Sequence, residues 1–218
     1  MNDRTRDILP LVVLVALVLG AMTIAMGAFI QGAPITVEAL FDRGLKVDEL
    51  VAAGEVGRLV TAGLVHTSIV HLLINALSLV VVSVFWWRLA VPLRPWSRAW
   101  VVVSILVVSS TAGFTASYWA HMGPSGGASA GIYGLFAAVA AAAWMQRAAR
   151  ELGWVTPLAL TLLSALLVVA MLGKSGMDHA AHAGGWVTGV VSGLGAFTAS
   201  GRVALGALTI AALGMALV

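Results

Sequence analysis

Six runs of this chain, at about residues 8 to 30, 66 to 87, 99 to 120, 129 to 146, 154 to 173 and 179 to 200, contain no Asp, Glu, Lys or Arg. Each is near the ~20 residues that a helix needs to cross the hydrocarbon of a bilayer. A seventh run, 203 to 218, would reach only ~24 Å as a helix and is a marginal span. Lipid supplies no water to an open backbone, so only helices and closed barrels can cross it. The runs lack the alternation of barrel strands, which leaves an all-α polytopic membrane protein. Charged residues make up 10% of the chain, against roughly 25% in soluble domains. The first run exceeds a secretory h-region and shows no clear small-x-small cleavage site, so it reads as a span.

Alternating the spans sorts the cations. Arg4, Arg6, Arg88, Arg94, Arg98, Arg147, Arg150 and Arg202 fall on one side, and Arg43, Lys46, Arg58 and Lys174 on the other. Positive residues favour the cytoplasm, so the N-terminus is expected there and the loops near residues 123 and 178 face outward. The net charge of +3 then reflects membrane anchoring, and nucleic-acid binding is not expected. With no cysteine in the chain, it holds no disulfide, thiolate metal site or cysteine nucleophile. The expected organisation is one core over 1–200, with a structured first loop at 32–65, followed by an apolar tail or partial span over 201–218.

Polar groups at bilayer depth are costly and by default functional. Two stand in glycine-rich settings: Ser129 in Gly127-Ala128-Ser129-Ala130-Gly131, and His182 in Ala181-His182-Ala183-Gly184-Gly185. Gly123-Pro124-Ser125-Gly126-Gly127 cannot continue a helix comfortably, and an uninterrupted apolar run follows. Ser129 is therefore expected at a helix N-terminus, where free N–H groups and the helix dipole favour a developing oxyanion. Taken alone it fits a helix N-cap at least as well. His182 precedes Gly185 and Gly189, a stride that admits a close helix neighbour. The fourth run offers a matching surface in Gly127, Ala130, Gly131, Gly134 and Ala138. If those faces meet, Ser129 and His182 come together as nucleophile and general base; otherwise His182 is a core histidine in a packing motif.

His71 and Asn75 in the second run lie four apart on one helix face, and both can aim donors at one oxyanion. His66, at the outer end of that run, can support the same site or hydrogen-bond the loop. A metal site of His66, His71 and His182 is the competing arrangement. It lacks an acidic ligand and leaves the Ser, Asn and Gly context without a role.

Together these motifs resemble those of the rhomboid intramembrane serine proteases. The segment Gly54 to His66 resembles the end of that family's first loop, with Gly57 where tryptophan is usual. His66, His71 and Asn75 match an H-x-x-x-x-H-x-x-x-N span, Tyr133 lies four residues after Ser129, and His182, Gly185 and Gly189 match A-H-x-x-G-x-x-x-G. Ala130 stands where the family usually has glycine. The G-x-S-G string itself fits Ser125 better, but only Ser129 has an aromatic at plus four and heads the apolar run.

The resemblance implies a six-helix bundle, here with a possible short seventh helix, and a Ser129–His182 dyad that cleaves transmembrane helices near their outer ends through an acyl-enzyme. It implies oxyanion donors from His71, Asn75 and the Ser129 backbone, and a Tyr133 ring beneath the imidazole. Asp178, in an outer loop, is expected to orient that loop or the helix start. Gly131, Gly134, Gly185 and Gly189 are expected to pack helices. Substrates would be single-span or polytopic membrane proteins entering near the second and fifth spans past Met171, in the inner membrane, with neither metal nor cofactor. A catalytically silent rhomboid-like binder of transmembrane helices is the alternative. A transporter is disfavoured, because no carboxylate lies well inside a span.

Overall fold

A computed structural model of the chain describes residues 3–147, 153–169 and 176–217. Its helices, in chain order, are α1 (Asp3–Ala25), α2 (Gly27–Ile30), α3 (Val37–Phe41), α4 (Asp48–Ala52), α5 (Arg58–Thr61), α6 (Ile69–Leu89), α7 (Pro95–Trp119), α8 (Ser129–Gln146), α9 (Val155–Val169), α10 (His179–Gly195) and α11 (Ala199–Met215). Among the described residues there is no strand, only an isolated antiparallel bridge between Lys46 and Ser125. The fold is the all-α polytopic bundle that the uncharged runs imply.

Local chemistry sets the helix limits. The Ser68 hydroxyl accepts the His71 N–H at 3.0 Å, an N-cap that starts α6 at Ile69 rather than residue 66. Pro95 opens α7 from the first position, where its missing N–H is no loss. The first run divides at Met26, so that α1 ends at Ala25 and a single separate turn forms α2. At the other end of the chain, Thr198 Oγ1 accepts the Gly201 N–H at 3.0 Å, so the seventh run becomes helical from Ala199.

Helix α8 sits at the centre, packed by α6, α7, α9 and α10, and its stretch from Ala137 to Ala143 is buried. On the outside the bundle is apolar: Val70, Leu73 and Leu77 of α6 and Leu158, Leu162 and Leu166 of α9 are exposed. An apolar surface of that extent belongs in lipid. Asp7–Ala25, Ile69–Leu89, Pro95–Trp119 and Ser129–Gln146 are long and apolar enough to span a membrane, and Val155–Leu167 and Ala199–Met215 are shorter apolar helices. The protein is integral to the membrane.

The connection from α1 to α6 contains α3, α4 and α5. Arg58 fastens it by donating to Phe41 O at 2.7 Å and Leu45 O at 3.0 Å while pairing with Glu55. The C-terminal end of α11 rests on this connection. A Cβ added at Gly57 would stand 2.7 Å from Met215 O, so the space a side chain would need at this position is filled by the α11 backbone. Lys46, in the first loop, is completely buried. Arg150, Met171, Gly173 and Lys174 lie outside the described residues.

Candidate active site

Helices α8 and α10 approach until their main chains touch. A Cβ at Gly185 would run into Ala130 O, and one at Gly189 into Gly134 O. Small residues at this stride let backbones reach van der Waals contact, the chief attraction between helices in lipid. The faces meet as the Gly185 and Gly189 spacing suggests, with two corrections. Gly131 points at α7, where a Cβ would collide with Leu106 O; a residue one place after Ala130 is rotated about 100° from the α10 face. Gly127 also leaves that face and lies against α6.

This contact brings Ser129 Oγ to 2.8 Å from His182 Nε2. Ser129 is the first residue of α8, and Ala128 takes the N-cap position without a side-chain bond, so the hydroxyl is engaged by the imidazole rather than by its own helix. The Tyr133 ring, one turn further on, lies 4.6 Å from the His182 ring at an interplanar angle of 32°. Among the described residues His182 Nδ1 has no hydrogen-bond partner. Asp178 is occupied elsewhere: one carboxylate oxygen accepts the Ala181 N–H at 2.9 Å as the N-cap of α10, and the other accepts the Ser117 hydroxyl proton. Ser125, the rival serine, exchanges backbone hydrogen bonds with Lys46 at 2.9 and 3.0 Å.

The second-run residues divide into two roles. His66 is buried ahead of α6, with Nδ1 3.1 Å from Leu64 O and Nε2 accepting the Ala128 N–H at 3.3 Å. This pairing requires a neutral imidazole with its proton on Nδ1, and burial holds the ring's pKa down at about 4. With both nitrogens engaged, His66 fixes the main chain just before Ser129. His71 and Asn75 instead face the site from α6. Thr67 Oγ1 lies 3.3 Å from His71 Nδ1. Asn75 is 4% exposed and its Nδ2 is unpaired among the described residues. Gly127 makes room for both: its φ is +126°, and a Cβ there would stand 2.6 Å from His71 Cε1 and 3.4 Å from Asn75 Nδ2.

These groups share a cavity of about 750 Å³, lined in part by His71, Asn75, Ser129, Tyr133, Met177 and His182. Ser125, Gly126 and Gly176 to Asp178 border it on the loop side, while Ile74, Ser78 and Leu167 border it on α6 and α9. The five histidines form no metal-binding group with acidic residues among the described residues. Sequence reasoning missed Thr67 and Ser117; the Thr67 to His71 stride of four was a signal for the first, and nothing local marked the second.

Fold and site define a polytopic helical membrane protein with a serine hydroxyl set against an imidazole inside the bundle. The Rhomboid domain model matches residues 53–199, more than half of the chain, and the chain belongs to the rhomboid family. Searches of curated proteins and of solved structures returned no match.

Proposed function

We propose that the protein is an intramembrane serine endopeptidase. The observation that carries this reading is the 2.8 Å approach of Ser129 Oγ to His182 Nε2 within a cavity. As Oγ bonds to a peptide carbonyl carbon, its proton passes to His182 Nε2; as the C–N bond breaks, that proton passes to the leaving amine. Water then repeats the sequence on the acyl-enzyme and releases the acid. The Ser129 N–H at the start of α8, the Asn75 amide and the His71 ring receive the negative charge on oxygen.

The substrate is a transmembrane helix of a single-span or polytopic protein, cut near its extracytoplasmic end. Its backbone bonds are closed in lipid, so it must unwind first, and helix-weakening residues at the cut are expected. Entry between α6 and α9 fits the cavity wall formed by Ile74, Ser78 and Leu167. Arg88 in the last turn of α6, Arg94 and Arg98 around the start of α7, Arg147 at the end of α8 and Arg202 early in α11 occupy the other end of the bundle from Ser129. This charge distribution supports a cytoplasmic N-terminus in the inner membrane and an outward-opening site. Residues 1–200 hold the catalytic unit, with the apolar tail beyond it carried by α11 (Ala199–Met215), and the chemistry uses neither metal nor cofactor.

The test is cleavage of a tagged single-span substrate by purified protein in lipid, with Ser129→Ala, His182→Ala and Ser125→Ala for comparison. Cutting by wild type and Ser125→Ala alone supports the dyad. Loss with Ser125→Ala alone moves the nucleophile. If no form cuts and a fluorophosphonate fails to label Ser129, the protein is a silent binder of transmembrane helices.

A further inference from the structure

Lys46 is a buried cation that the proposed chemistry leaves without a role. Its side chain is 0% exposed. Its ammonium donates to Gly123 O at 2.7 Å and to Ser117 Oγ at 2.8 Å and forms an ion pair with Asp48 Oδ1 at 2.6 Å. Ser117 in turn donates to Asp178, which caps α10 three residues before Ala181 and four before His182. On the other side Asp48 Oδ2 accepts the Gly123 N–H at 3.1 Å, and the Lys46 backbone pairs with Ser125. One lysine of the first loop thus touches both segments that deliver the reacting groups: the loop leading into Ser129, and, through a single hydroxyl, the start of the helix carrying His182.

Buried ion pairs are poor devices for stability, because desolvation offsets much of their attraction; in some proteins they instead fix one geometry. The partners of the Lys46 ammonium lie as far as 77 residues away in sequence, so the network closes only when the loop and both helices are in place. We infer that Lys46 is a positioning residue, a clamp that holds the Ser129 loop and the His182 helix start at a fixed separation. The catalytic part of this inference rests on the proposed peptidase activity; the geometric part does not.

Both parts are tested together. The chain has no cysteine, so Met122→Cys and Met177→Cys, on the two clamped segments, accept a single pair of spin labels. Lys46→Met in that background broadens the distance distribution between the labels. In the otherwise unaltered chain, Lys46→Met lowers kcat per folded molecule by about 10²-fold, the usual consequence of misplacing reacting groups by about 1 Å, while KM stays within about twofold. Asp178→Asn falls by a comparable factor, and the double variant falls no further, because both break one chain of bonds. Ser117→Ala, which cuts the link and leaves the Lys46–Asp48 pair, shows the same kcat loss and serves if Lys46→Met does not fold. An unchanged distance distribution overturns the clamp. Unchanged kcat per folded molecule overturns its catalytic role. If wild type cuts no substrate, the peptidase reading alone fails, and the distances still decide the clamp.

Discussion

The rings of Tyr133 and His182 lie 4.6 Å apart with their planes tilted by 32°, while the Tyr133 hydroxyl donates to Leu167 O at 3.1 Å. One side chain of α8 thus holds the imidazole on one edge and α9 on the other. The imidazole has no carboxylate on Nδ1 among the described residues, so ring contact rather than a third charged residue sets its tilt.

Replacing the ring and the hydroxyl separates these roles. Tyr133→Phe keeps the contact with His182 and retains most of the cleavage rate. Tyr133→Ala removes the support and lowers kcat by about 10²-fold through misorientation. Steady-state kinetics on one transmembrane substrate distinguish the two, and equal losses would place the hydroxyl, not the ring, at the centre of the effect.

Asn75 Nδ2 is buried and unpaired among the described residues, an arrangement that leaves a donor ready for charge that appears only during reaction. Asn75→Ala is expected to lower kcat by about 10²- to 10³-fold with little change in KM. His71→Ala should fall in the same direction. A rise in KM alone would assign Asn75 to substrate binding.

The contact of α8 with α10 leaves no room for a methyl group. Gly185→Ala and Gly189→Ala force the main chains apart, an overpacking that costs about 1–3 kcal/mol. Gly206→Ala in α11, where a Cβ meets nothing within 4 Å, is neutral or slightly stabilising by helix propensity. Thermal unfolding in one detergent compares the three, and equal melting temperatures would show that α10 can shift without loss.

His66 makes stability depend on pH in a defined direction. Its pKa in the folded protein is about 4 against an ordinary 6.5, so the unfolded chain binds the proton first on acidification. The contribution of His66 is complete above about pH 6.5 and is lost as pH falls toward 4. His66→Gln keeps an acceptor for the Ala128 N–H without titrating, so its unfolding midpoint should decline less over that window than that of wild type. Parallel declines would remove His66 from the account.

Much of this architecture could be read from the residues. The uncharged runs gave the long helices because lipid permits few alternatives. Ser129 began its helix where the glycine-rich stretch ended, and the strides of Gly185 and Gly189 marked the face that α8 covers. Helix limits were less legible, since Ser68 and Thr198 shift them through single cap bonds. Gly131 was misassigned because one residue of rotation moves a side chain to a different neighbour. Lys46 was invisible as a buried group: nothing within its own segment shows that Ser117 and Gly123 will surround its ammonium.

The meeting of α11 with Gly57 fixes the geography of the chain's ends. Helix α1 enters from the arginine-rich end of the bundle, and α11 returns across it to finish beside the first loop, at the level of the serine loop. With α11 crossing the bilayer, a reporter joined after residue 217 is expected in the same aqueous compartment as the mouth of the cavity, and one joined before residue 3 in the opposite compartment. Opposite compartments for the two fusions in intact cells are the expected outcome, and a shared compartment would show that α11 does not complete a crossing.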